Sequence, residues 1–280
     1  MEGPNQAIRV AAVIRRTFRI YVDQAPVLMP AAAVVFAISG VLGSVLIASS
    51  PGLASLALVI RVLALALFTG MIVELVADVQ DGRRDTDVAR LLQAVRPVLG
   101  RLILVGLAIV FVVGLLLTVG VLSVLALAIG SALKGGNDAA GTIVGGAVGV
   151  LLFLIPALYL LTVWSVAIPI VVLERPGGLL ALGRSRALVR GNGWRVFWVN
   201  LLLVILLGVA GAAVGLLAYS ASASLGLVVT VVVGVLTAPI SALAEAVLYF
   251  ELRAARDRGE ADHVQETGAF QAGPFPPAAP

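Results

Sequence analysis

The sequence predicts an all-α integral membrane protein with six transmembrane helices, and three observations carry that prediction. First, 61% of the 280 residues are hydrophobic and only 12% are charged, about half the charged share of soluble domains. A soluble fold of this length needs a polar shell that so few charges cannot supply. Second, six stretches, at about 26–49, 53–78, 102–131, 142–173, 197–220 and 225–250, meet the roughly 20 mostly apolar residues that a spanning helix requires. Third, the basic residues alternate in place. Of 19 Lys and Arg residues, 17 fall at the two ends of the chain or in the connections after the second and fourth stretches. Lys134 alone lies on the opposite side, and Arg61 lies inside a span. The positive-inside rule then puts both termini in the cytoplasm.

The first apolar run, from about Ala25 to Ser49, is longer than the 7–15-residue core of a cleavable signal and reads as a retained span. Several later stretches exceed the minimum length, so tilt or kinks are expected, with Pro156, Pro169 and Pro239 as kink points. The connections after the first, third and fifth spans are short and nearly uncharged. The basic connections are richer. Residues 7–22 form an amphipathic pattern, with Val10, Ile14, Phe18 and Tyr21 on one helical face and Arg9, Arg16 and Arg19 on the other. Residues 86–96 place Val88, Leu91, Leu92 and Val95 on one face before Pro97. Residues 178–190 carry Arg184, Arg186 and Arg190 and close on Gly191-Asn192-Gly193. Each reads as a basic interfacial helix lying at the headgroups.

A period follows. An interfacial helix plus a two-span hairpin covers about 6–79, then 85–173, then 178–252. Three modules facing the same way predict a pseudo-threefold arrangement about the membrane normal, giving a six-helix domain over 1–252. From 253 to 280 charged residues lead into Gly273-Pro274-Phe275-Pro276-Pro277, which predicts a disordered cytoplasmic tail.

No catalytic constellation is legible. The chain has no cysteine and one histidine, His263, so thiol chemistry, a Ser-His-Asp set and a two-histidine metal site are all excluded, and neither metal nor cofactor is expected. Two intramembrane charges stand out, Arg61 and Glu245, as candidates for a polar site. They differ in depth by roughly 15 Å at 1.5 Å per residue, which argues against a direct pair. Arg61 reaching outward to the headgroups and a cavity lined by either residue both remain open. Gly141, Gly145 and Gly149, and Gly211 and Gly215, are spaced for close helix packing inside the protein. Trp194 and Tyr249 sit where interface anchors belong. Arg184, Arg186, Arg190 and Arg195 form a candidate contact for anionic lipid headgroups, beside their role in topology. Arginines flanking spans need no nucleic acid to explain them, and no nucleic-acid partner is expected.

The run from Glu174-Arg175-Pro176-Gly177-Gly178 through Arg184-Ser185-Arg186 to Arg190-Gly191-Asn192-Gly193-Trp194-Arg195 resembles bacterial multi-pass proteins described as glycerophosphoryl diester phosphodiesterase membrane-domain-like. The ending Tyr249-Phe250-Glu251-Leu252-Arg253 also resembles that family, which often has Asp where Glu251 stands, and so does Gly82-Arg83-Arg84 followed by 91–100. Glu174, Ser185, Gly191, Trp194, Tyr249, Glu251 and Arg253 are the motif residues. The resemblance implies a six-helix membrane domain without the catalytic phosphodiesterase domain. Together with the Arg-rich, Lys-poor composition of a GC-rich bacterial genome, it points to the bacterial cytoplasmic membrane. The expected function is non-enzymatic, either lipid-associated or supporting other envelope proteins. The alternative is a small transporter using Arg61 or Glu245, and a membrane enzyme acting on lipid headgroups ranks third.

Overall fold

The computed structural model describes residues 10–80, 88–133 and 139–271, and all regular structure among them is helical. Six of the helices are long and apolar enough to cross a membrane. Helix α1 (Val10–Asp23) runs into α2 (Ala25–Ser49), and a short 3-10 turn at Pro51–Leu53 leads to α3 (Ala54–Gln80). Helix α4 (Val88–Val95) precedes α5 (Leu99–Leu133) and α6 (Ala139–Trp164). Helices α7 (Ala167–Leu173) and α8 (Leu180–Val189) lead to α9 (Gly193–Ala221) and α10 (Ala223–Gln271).

Consecutive long helices pack side by side, α2 on α3, α5 on α6 and α9 on α10. The second helices of the first and third pairs turn inward, and α7, which follows α6, joins them: α3 contacts both α10 and α7, and α7 also meets α10. Burial is concentrated toward the arginine-bearing end of these helices. Phe68 to Val76 of α3, Leu102 and Val105 of α5, Ile170 to Val172 of α7, and Leu243 to Tyr249 of α10 form one continuous core. The opposite halves of the long helices display large apolar side chains outward, among them Val45, Phe111, Leu151, Leu217 and Val228. In water these would be costly; facing acyl chains they are in their own solvent. Three of the five spaced glycines meet a neighbouring helix, whereas a Cβ at Gly215 would have nothing within 4 Å. Gly145 and Gly149 face α5 beside Leu127 and Ser123, and a Cβ at Gly211 would stand 3.0 Å from Val233 of α10.

The fourth stretch is two helices rather than one. Helix α6 ends at Trp164 and α7 begins at Ala167, because Pro169 removes a donor and its ring crowds the carbonyl of Ser165 four residues back. The helix continues through Pro156 and Pro239, the other two expected kink points.

The short helices depart in detail from their expected amphipathic patterns, and α8 carries no pronounced apolar face, with Leu180 exposed and Ser185 buried. On α1 the buried face is centred on Val13, Thr17 and Ile20, with Val10, Phe18 and Tyr21 flanking it. On α4, Leu91 and Val95 turn inward while Leu92 is exposed; the Val88 side chain lies outside the described residues. Each short helix packs chiefly on the helix that precedes it rather than on the pair that follows. Helix α4 sits on α3 and α8 on α7 and α6, while α1, with nothing before it, sits on α10. Arg16 and Tyr21 of α1 hold Glu251 and the carbonyl of Leu236, about four turns apart on α10. Helix α1 therefore lies along α10. The expected change at 253 does not end the last helix, which continues to Gln271. Ala254, Ala255, Arg256 and Arg258 are good helix formers, and no proline intervenes before Pro274. Residues 272–280 lie outside the described residues.

Candidate functional site

Three sites emerge around the core. The first is a polar clamp built from the motif residues. Glu174 ends α7, and its carboxylate accepts two hydrogen bonds, one from Arg184 Nε of α8 at 3.0 Å and one from the Tyr249 hydroxyl of α10 at 3.0 Å. Arg253 Nη1 backs the same hydroxyl at 3.4 Å. Arg175 adopts a left-handed backbone with φ 52°, which turns the chain sharply out of α7, and its carbonyl accepts a bond from Arg101 Nη1 at 2.9 Å. Ser185, fully buried on α8, donates to the carbonyl of Val163 at 2.7 Å, at the broken turn between α6 and α7. Arg16 Nη1 meets Glu251 at 2.8 Å and fixes α1 to α10. Gly191 holds φ 89°, the conformation a side chain disfavours, and lets α8 turn directly into α9. Glu174, Ser185, Tyr249 and Glu251 thus bind elements to one another, while Gly191 forms the turn from α8 to α9 and Arg253 supports Tyr249 within α10. Trp194 does not take part: it is 69% exposed and stacks on Phe197 with a centroid distance of 5.3 Å.

The second site is a groove of about 370 Å³ between α6 and the α8–α9 turn, lined by Tyr159, Arg186, Arg190, Gly191 and Gly193. Neither guanidinium has a carboxylate partner among the described residues. The four arginines proposed together therefore separate. Arg184 is engaged by Glu174, Arg195 donates to the Asn192 side chain at 2.8 Å, and Arg186 and Arg190 share the groove. Tyr159, an exposed phenol on a lipid-facing helix, was not singled out from sequence.

The third site is a central cavity of about 640 Å³, walled by α3, α5, α6, α7, α9 and α10. Its surface is mostly apolar, and Glu245 is the only acidic or basic residue lining it. Thr162, Ser165 and Thr237 also line it; the Thr162 and Thr237 hydroxyls donate to carbonyls of their own helices, and Ser165, in the turn after α6, donates to the carbonyl of Thr162. Asn200, Ser241 and Glu245 face it without a hydrogen-bond partner among the described residues. Ser241 and Glu245 are one turn apart on α10, a spacing visible in the sequence. Asn200 is a lone amide in an apolar helix. Arg61 is exposed on α3 and outside this cavity, and among the described residues it forms no ion pair with Glu245.

Among the described residues no group of three or more His, Cys, Asp or Glu is placed to hold a metal ion. No characterised protein and no solved structure matches this chain. A family of domains of unknown function, DUF8558, matches residues 52–252, from the start of α3 through the clamp residue Glu251. That match takes in the clamp apart from Arg16 and Arg253, all of the groove and all of the cavity, and the chain belongs to the DUF8558 family.

Proposed function

We propose that this is a non-enzymatic, lipid-associated protein of the bacterial cytoplasmic membrane, with its arginine-bearing face and both termini in the cytoplasm. In this reading an anionic lipid headgroup occupies the groove between Arg186 and Arg190. The supporting observation is that these two guanidiniums share one groove, lack a carboxylate partner among the described residues and stand beside the exposed Tyr159 on a lipid-facing helix. Guanidinium forks match phosphate oxygens, and a basic pocket between spans at the cytoplasmic surface suits anionic headgroups.

The architecture we infer is three modules about a pseudo-threefold axis, each a basic amphipathic helix followed by a hairpin of two spans. Its support is the cyclic packing, in which each short helix seats on the second span of the preceding module and α1 closes the ring on α10.

The test is native mass spectrometry of the full chain with retained lipids. Replacing both Arg186 and Arg190 with Gln should strip most bound phosphatidylglycerol and cardiolipin, while Arg184→Gln should leave them in place. Equal retention of anionic lipid by the double variant and the unmodified chain refutes the assignment. A second reading, transport of a small molecule through the bundle, draws on the cavity that reaches Glu245. Its mostly apolar wall suits an amphipathic molecule better than a hydrated ion.

A further inference from the structure

We infer that the central cavity is a binding site for an amphipathic amine, a molecule with an apolar body and one ammonium group that seats at Glu245. The inference does not depend on the arginine groove, which lies on other residues. Three features of the cavity carry it. The wall is mostly apolar and the cavity, open on one side, holds about 640 Å³, within the size range of sites for drug-sized molecules. Glu245 is the sole acidic or basic residue on that wall, and Arg61, the other charge within a span, does not reach it. A carboxyl group placed among apolar side chains without a basic partner is costly, and a ligand cation is the partner that offsets the cost. Trp164 and Phe197 line the same space and offer aromatic surface to an ammonium group. Asn200 and Ser241, both without protein partners among the described residues, provide acceptors for its N–H groups.

The chemistry excludes near relatives of the ligand. A fatty acid would set a second carboxylate against Glu245 with no basic residue on the wall. A neutral alcohol could bond to Asn200 or Ser241 but would gain nothing from the charge.

The cavity contains its own reporter. Replacing Trp194 and Trp198 with Phe leaves Trp164 as the single tryptophan, on the cavity wall. The full chain, in nanodiscs of phosphatidylcholine, is titrated with decylammonium, 1-decanol or decanoate while Trp164 emission is followed. The expected result is a saturable change with the ammonium compound at concentrations at least tenfold below those needed for decanol, and none with decanoate. Glu245→Gln should weaken ammonium binding at least tenfold and leave the response to decanol unchanged.

Gly208→Leu provides a second variant that does not touch the carboxyl group. Gly208 lines the cavity and nothing stands within 4 Å of a Cβ built on it, so a leucine there enters free space and should displace the ligand. The inference is overturned if ammonium and alcohol titrate Trp164 at the same concentration, or if no titration saturates. It is overturned equally if Glu245→Gln binds the ammonium as tightly as the unmodified protein. Should Glu245→Gln fail to fold, undiminished ammonium binding by Gly208→Leu overturns it.

Discussion

Removing the Tyr249 hydroxyl tests whether the clamp at Glu174 holds the bundle together. Tyr249 is the largest fully buried side chain among the described residues, and its hydroxyl donates to Glu174 at 3.0 Å. A hydrogen bond to a charged group contributes about 1.5–3 kcal/mol when its donor is shielded from water. The second contact of that hydroxyl, 3.4 Å from Arg253 Nη1, is too long to add much. The other bond to Glu174 has the same length but a different setting: the Arg184 side chain is 49% exposed, and ion pairs of that kind contribute about 0–1 kcal/mol. Tyr249→Phe should therefore destabilise the protein by about 1.5–2 kcal/mol, toward the low end because Glu174 keeps some access to water. Arg184→Ala should cost less. Equilibrium unfolding in mixed micelles with increasing dodecyl sulfate, followed by circular dichroism, measures both. A double-mutant cycle with Glu174→Gln should return a coupling energy of about 1 kcal/mol or more between Tyr249 and Glu174. If Arg184→Ala proves more damaging than Tyr249→Phe, or the Tyr249–Glu174 coupling is zero, burial does not rank these contacts and the reasoning fails.

Two further substitutions probe the joints around the clamp. Ser185→Ala deletes a buried donor from the carbonyl of Val163 and should cost about 1–3 kcal/mol in the same unfolding assay; stability equal to that of the unmodified chain would mean that α8 does not secure the broken turn. Gly70→Ala would place a Cβ 3.1 Å from Leu102 and 3.2 Å from Val95, both fully buried, where α3 meets α5 and α4. Overpacking of about 1–3 kcal/mol outweighs the gain of up to about 1 kcal/mol in helix propensity, so the melting temperature in detergent should fall, and a rise would refute the close approach.

Much of this fold is legible in the sequence because lipid imposes a simple rule. A span must be long and apolar, so hydropathy alone locates all six. Two of the three short helices are legible for a related reason, since a 3.6-residue period marks α1 and α4, whereas α8 has no such period and is bounded instead by glycines. What the period leaves open is the partner. The α1 pattern cannot reveal that Val13, Thr17 and Ile20 centre its buried face, because that depends on α10, more than two hundred residues away. Prolines are similarly ambiguous. Pro169 breaks its helix, and Ser185 stands ready at the broken turn, whereas the helix runs on through Pro156 and Pro239. Among the charges, the sequence singles out Arg61 and Glu245 with equal force because both lie in apolar runs. Only packing separates them, placing one on the outer surface of α3 and the other on a cavity wall. Likewise the four arginines from 184 to 195 look alike until the fold gives Arg184 a carboxylate and leaves Arg186 and Arg190 without one.

The placement of polar contacts explains why a cavity can persist within a bundle that has few of them. In lipid, apolar helices gain little by touching each other rather than acyl chains, so association needs close packing or polar bonds. Here most side-chain bonds between different helices gather at the arginine-bearing end, in the clamp at Glu174, the Ser185 contact and the Arg16–Glu251 pair, while the Tyr21 bond to the carbonyl of Leu236 lies further along α10. The dense core lies at the same end. Helices fixed there need not close fully along the rest of their length, and the cavity opens among them beyond the core, from Glu245 toward Val62, Val110 and Val204. The motif residues and the cavity are thus two parts of one design. The motif fixes the ends of the spans, and that fixation leaves room between them for a ligand that the bundle does not need for its own packing.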